Sequence, residues 1–162
     1  MKKYISILLV IVAILSVCAC YDLDRYPEDK INTNTFWKTQ QHAEQGINAI
    51  YAMFQNYYIF GSYFSLDCLG EVGTGYGEHG NENISRGTYN SLDNRILNRW
   101  TYLYEGVARA NLAIQNIPKI HATDSEIATL MGEAKFLRSL FYFYLTDFFG
   151  GVPIYDEKTI VS

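Results

Sequence analysis

The sequence predicts a mainly helical, all-α fold built on one long helical hairpin and interrupted by a Gly- and Asn-rich loop. Three observations carry this. Apolar residues recur at steps of three and four along two stretches on either side of Pro118, the period of helices buried on one face. The connection between the two stretches is short, so the helices must lie antiparallel. Between residues 67 and 91 all periodicity is lost, and six of the twelve glycines collect there. Composition agrees: 162 residues, 49% hydrophobic and 19% charged, suit one globular domain. Thirteen Lys and Arg against seventeen Asp and Glu give a net charge of -4, with no basic block after residue 3, which excludes nucleic acid as the main partner. Cys18 and Cys20 fall in the first twenty residues and Cys68 stands alone, so neither a disulfide framework nor a zinc cage is expected.

The first element is an address. Lys2 and Lys3 precede an uncharged stretch from Ile5 to Cys20, shorter than the roughly 20 apolar residues that span a bilayer. It ends in Val17-Cys18-Ala19-Cys20, which resembles a bacterial lipobox, where a small residue precedes a cysteine that is acylated and becomes the mature N-terminus. Ala19 is small and Val17 is β-branched, so Cys20 is the expected lipidation site; a plain signal peptide or a single-pass anchor are the alternatives. Residues 1–19 then form the signal peptide and 20–35, polar and carrying Pro27, a lipid-proximal tether. Two or more acyl chains hold a soluble body stably at a membrane. Removal of residues 1–19, with Lys2 and Lys3, leaves eleven basic against seventeen acidic groups in residues 20–162, so what is tethered, with residues 36–162 as its helical body, is acidic.

Within that body, Ala43, Ile47, Ile50, Tyr51 and Phe54 predict a first helix between Thr39 and Tyr58. The loop of residues 67–91 follows, long enough to be functional. Ile96, Trp100, Leu103, Val107, Ala110, Ile114 and Ile117 form the first hairpin stripe, stopped by Pro118. Thr123 with Glu126 makes a capping box for the second, which repeats through Ile127, Leu130, Ala134, Leu137, Phe141, Tyr144 and Phe148 until Gly150-Gly151. From Phe136 onward this helix is apolar almost all the way round, so it wants neighbours on every side. The chain is therefore expected to be incomplete as a functional unit, with further helices beyond Ser162.

Catalytic chemistry is not expected. His42, His79 and His121 have no acidic or cysteine neighbour at a ligand spacing, so neither a metal nor another cofactor is predicted. There is no G-x-S-x-G elbow, and no acid and base pair of a glycosidase can be picked out. Gly75-Tyr76-Gly77-Glu78-His79-Gly80 fits G-x-G-x-x-G by glycine content alone, without the flanking strand and helix of a dinucleotide site. Aromatics are the remaining clue: 24 of the 143 residues after position 19 are Phe, Tyr or Trp, thirteen of them Tyr. Tyrosine stacks on a sugar face and hydrogen-bonds at its rim. Most aromatics, Tyr51, Trp100, Phe141 and Tyr144 among them, are expected in the core. The loop residues Tyr76, Asn81, Asn83, Arg86 and Tyr89 combine ring faces with amide and guanidinium donors and are the candidate ligand contacts; a loop that merely packs on a partner is the competing reading.

Four segments occur in an order that resembles a known family. They are Cys20-Tyr-Asp-Leu23-Asp24-Arg-Tyr-Pro27, Phe36-Trp37-Lys-Thr39 with Ile50-Tyr51, Arg109-Ala110-Asn111 through Pro118, and Glu133-Ala134-Lys135-Phe136-Leu137-Arg138 through Phe149-Gly150-Gly151-Val152-Pro153. Together they are similar to the start of SusD/RagB-type outer-membrane lipoproteins. The resemblance implies tetratricopeptide-like hairpins, a lipid in the outer membrane of a Gram-negative bacterium, and a body that caps a SusC-like TonB-dependent transporter and hands it glycans or other nutrients, with no catalysis. No member's sugar contacts align with the loop, and members are several times longer than this chain. A lipid-anchored helical scaffold that binds only proteins is the alternative.

Overall fold

The computed structural model describes residues 36–62, 66–70, 73 and 82–159. The signal peptide, the tether, Cys20, Tyr76, Asn81 and His79 lie outside them. Among the described residues the named α-helices are α1 (Gln40–Tyr51), the short α2 (Glu82–Ser85), α3 (Asn94–Asn116) and α4 (Asp124–Phe149). No strand occurs among the described residues, and one isolated bridge joins Thr39 to His121.

α1 starts where Thr39 turns its side chain back to accept from the His42 amide, filling a donor that the first turn leaves empty. It buries Ala43, Ile47 and Ile50, the predicted face. The helix is shorter than the apolar pattern suggested. A 3-10 turn over Ala52–Gln55 tightens its end, and Asn56, with ψ at 134°, breaks the chain before a single π-helical turn over Tyr57–Gly61. Asn56 Oδ1 accepts from the Tyr58 amide and so caps that turn. The apolar period runs on through Phe54 and Tyr58 while the backbone changes direction, which periodicity alone does not reveal.

α3 begins at Asp93, whose carboxylate accepts from the Arg95 amide at 2.9 Å. It ends as predicted at Pro118, in a 3-10 turn over Ile117–Lys119. α4 carries the complete capping box: Glu126 N–H donates to Thr123 Oγ1, and Thr123 N–H donates to the Glu126 carboxylate at 2.8 Å. Gly150 stops it with φ at 75°, a conformation that costs glycine nothing, while its N–H still reaches Thr146 O. The two helices are antiparallel, since Asn111 meets Arg138, Tyr104 meets Tyr142 and Trp100 meets Phe149.

The core lies where α1 closes over this hairpin. Ala110, Ala113, Ile114 and Ile117 of α3 and Leu130, Ala134, Leu137, Phe141 and Leu145 of α4 are buried with Ala43, Ile47, Ile50 and Met53. Gly106 is buried, and the Phe141 ring occupies the space a Cβ there would need, so the helices cross closely at that level. Two expected core aromatics are at the surface. Tyr51 is exposed and donates to Glu133 at 2.8 Å, and Trp100 lies outside while Arg99 takes the buried position beside it. α3 is thus turned by about one residue at its N-terminal end relative to the predicted stripe. The expected surplus of apolar surface on α4 is present: Phe136 and Phe143 are 62% and 59% exposed.

Candidate ligand-binding cleft

The segments that resembled a family serve as scaffold. Arg109 pairs with Glu105 one turn earlier and donates to Ala49 O at the end of α1. Ala110, fully buried, lets the helices meet, and Asn111 Nδ2 donates to Tyr155 O at 3.0 Å. On α4, Arg138 donates to Asn111 Oδ1 at 2.8 Å and to the Glu157 carboxylate at 2.6 Å. Residues 152–159 are thereby strapped across the hairpin. Tyr104 hydroxyl donates to Pro153 O, and Tyr142 hydroxyl donates to Tyr155 O while accepting the Tyr155 amide. Burial raises the pKa of both phenols, which keeps them protonated as donors. Hydrogen bonding from Arg138 holds Glu157 below the ordinary glutamate value.

Two concave surfaces flank this scaffold. The larger, about 910 Å³, is a broad groove between the outer face of α3 at Trp100, Tyr104, Ala108 and Leu112 and the strap at Tyr155–Thr159. The smaller, about 150 Å³, lies at the open end of the hairpin. Tyr57, Tyr58 and Leu69 form one wall of it, Ile84 and Tyr89 a second, and Arg95, Ile96, Arg99, Phe148 and Phe149 its floor.

Local sequence explains how each wall is placed. The break at Asn56 turns Tyr57 and Tyr58 outward from α1, and the Tyr58 ring stacks on Tyr102 at 5.7 Å. α2 ends in a Schellman motif: Gly87, with φ at 68°, donates to Ile84 O and Thr88 donates to Asn83 O. That motif gives the loop an ordered turn that its glycine and asparagine content did not announce, and Ile84 joins the cleft wall. Tyr89 follows, half exposed at 52%. An Asx turn at Asn90 leads into the Asp93 cap.

Of the sequence-predicted contacts, the structure places Tyr89 in the cleft wall. Asn83 and Arg86 are exposed on and just after α2, outside the cleft lining. The residues missed were Tyr57, Tyr58, Arg95 and Arg99. Arg95 and Arg99 stand one turn apart, a spacing that puts both on one helix face; that pairing beside Ile96 was the signal available. Arg99 is only 9% exposed. Its Nη2 donates to Ile59 O at 3.3 Å, its guanidinium lies 4.1 Å over the Phe148 ring, and its Nη1 has no partner among the described residues. Burial lowers its pKa to about 10, so it remains a cation at neutral pH. Among the described residues no group of three or more His, Cys, Asp or Glu is placed to hold a metal.

The described body is thus all-α and carries an aromatic-lined cleft. The family model of SusD-like proteins, described as starch-binding and associating with the outer membrane, matches residues 23–160, and the chain belongs to that family. Among its relatives, SusD-like protein P38 of Formosa agariphila is 29% identical over 99% of this chain and SusD-like protein P2 of the same organism 27% over 96%. Each match covers 32% of the relative, so the chain spans about a third of the length of these proteins. No solved structure matches the chain. Family members are binding proteins of the outer membrane and not enzymes.

Proposed function

We propose that this chain is part of a cell-surface lipoprotein, anchored through Cys20, that binds a glycan or similar nutrient and assists its uptake through a SusC-like TonB-dependent transporter. The family match over residues 23–160 carries the reading. The Ala19-Cys20 step behind an apolar run supports the anchor, with residues 1–19 as the signal peptide and 20–35 as the tether. Ligand contact is assigned to the loop of Tyr76, Asn81, Asn83, Arg86 and Tyr89, of which Tyr89 reaches the cleft wall. The scaffold reading, in which only proteins are bound, draws on exposed Phe136 and Phe143, a pair suited to an apolar partner. Gentle detergent extraction of the full-length lipoprotein, followed by affinity pull-down and glycan-array binding, tests both. A transporter-sized barrel together with retained glycan is expected; the barrel without any glycan supports the scaffold. Palmitate labelling that survives Cys20→Ala but not Cys18→Ala would move the anchor.

A further inference from the structure

The broad groove beside the strap is walled by a second stripe on α3, distinct from the one that packs on α4. Trp100, Tyr104, Ala108 and Leu112 follow one another at steps of four, and Trp100, Ala108 and Leu112 are exposed. From Trp100 to Gln115, the last α3 residue in the groove, the stripe runs about 22 Å at 1.5 Å per residue. None of the α3 side chains that line it is charged, although Arg95, Arg99, Glu105 and Arg109 stand elsewhere on the same helix. A helix face turned to water is ordinarily where charges collect.

The polar groups along this groove are already engaged. Tyr104 hydroxyl donates to Pro153 O, Asn111 Nδ2 donates to Tyr155 O, and Asn111 Oδ1 accepts from Arg138. The Trp100 ring is held by neighbours too, 4.8 Å from Tyr104 and edge-on at 5.0 Å to Phe149. A sugar chain needs hydrogen-bond partners at its rim and finds few left, whereas an apolar surface gives up nothing by entering. A row at steps of four with small Ala108 between Tyr104 and Leu112 offers a hollow into which the ridge of a second helix packs. The strap wall points to where that helix comes from. Thr159 lines the groove, so the chain that follows the strap sets out from its edge and needs only a short loop to return over α3. In the relatives the match covers 32% of the protein, which leaves about two thirds of the polypeptide to supply it.

We propose that this groove seats an amphipathic helix of the full-length protein, contributed by the chain beyond the strap, with its apolar ridge lying over Ala108 between Tyr104 and Leu112. It rests on the length of the relatives and not on glycan binding. α3 is then packed on two sides, with α4 and α1 on one and the later helix on the other, and the strap serves as the edge that both share.

The test uses the full-length lipoprotein in detergent, purified away from any transporter and free of saccharide, with Cys68→Ser as the parent. Ala108→Cys is labelled with a maleimide, natively and in denaturant, and in a second variant Leu112 is replaced by benzoylphenylalanine, whose photo-cross-links are mapped by mass spectrometry. Native labelling above the parent's background is expected to be at least about tenfold slower than in denaturant, since a covered site reacts only through local opening. Cross-links are expected within the same chain, beyond Thr159, at positions three or four apart as one helix face demands. Ala108→Arg should lower Tm by several degrees, whereas on an open helix face it would leave Tm unchanged. If that variant does not fold, Ala108→Cys, which adds a single sulfur, still decides. Native labelling as fast as in denaturant overturns the proposal. Protection that appears only with the transporter, only with added saccharide or only at high protein concentration also overturns it, and assigns the groove to that occupant. Cross-links confined to residues 1–159 overturn it as well, since an earlier segment of the chain then covers α3.

Discussion

The two ends of the α3 and α4 hairpin are made of different side chains, and they close to different degrees. At the closed end, near the Pro118 connection, Ala110, Ala113 and Ile114 face Leu130, Ala134 and Leu137, and α1 lays Ala43, Ile47 and Ile50 over them. Small and aliphatic residues let three helices approach closely there. Toward the open end rings take over the contacts: Phe54 of the 3-10 turn stacks on Phe141 at 4.6 Å, Phe60 of the π-helical turn meets Tyr144 edge-on at 4.5 Å, and Trp100 of α3 meets Phe149 of α4 at 5.0 Å. Rings fill volume in plates, and plates leave gaps at their edges. The cleft and the buried Arg99 occupy one such gap. The difference teaches that packing is divided along the hairpin, with aliphatic contacts closing one end while the ring-rich end keeps the candidate cleft.

The sharpest way to break that division is to change volume at each end. Phe141, with no exposed surface and Phe54 stacked on it, should cost about 3 to 5 kcal/mol when replaced by Ala, because neighbouring rings cannot collapse into the space. Ala110→Leu at the closed end acts by the opposite route, forcing helices apart for about 1 to 3 kcal/mol. Both are read from chemical denaturation of the protein. A mild Phe141→Ala together with a severe Ala110→Leu would mean that the closed end alone carries the fold.

A smaller effect belongs to the closed end by itself. Thr123→Ala removes the cap of α4 and should lose about 1 kcal/mol. The same site predicts a pH dependence. Hydrogen bonds from the Thr123 side chain and backbone hold Glu126 below its ordinary value of 4.5. A carboxylate depressed in the folded state contributes stability that is complete above pH 4.5 and is lost as pH falls through the folded value. The pH profile of the melting temperature should therefore flatten in that acidic range in Thr123→Ala. An unchanged slope would assign acid sensitivity to other carboxylates, Glu157 beside Arg138 foremost.

How much of this was legible follows the same division. The capping box, the stop at Pro118 and the Gly150 terminus were readable because each is decided by residues within four positions of one another. The core stripe of α4 was readable for the same reason. The open end was not. Asn56 breaks α1 inside an apolar pattern that continues unchanged, and Arg99 rather than Trp100 is the buried residue at that level of α3, which its polarity argued against. The strap depends on Arg138 reaching Asn111, 27 positions away, and Glu157, 19 away, distances over which sequence has no period. For the cleft, composition singled out Tyr89, but Tyr57 and Tyr58 reach it through a turn more than thirty positions earlier in the chain.

The smallest expected effect concerns the surface both ends share. Phe136 and Phe143 are two turns apart on α4 and more than half exposed, so little of either ring is withdrawn from water. Phe136→Ser and Phe143→Ser should each change stability by no more than about 0.5 kcal/mol, as substitutions outside packed features do. That near-silence makes them useful. In the full-length protein the double variant should keep its melting temperature if these rings face solvent there too, and it should lose its partner barrel in a pull-down if they form the docking surface. A loss of several degrees in melting temperature would instead show that the rings are covered by the protein's own chain, and the apolar face of α4 would then belong to its core.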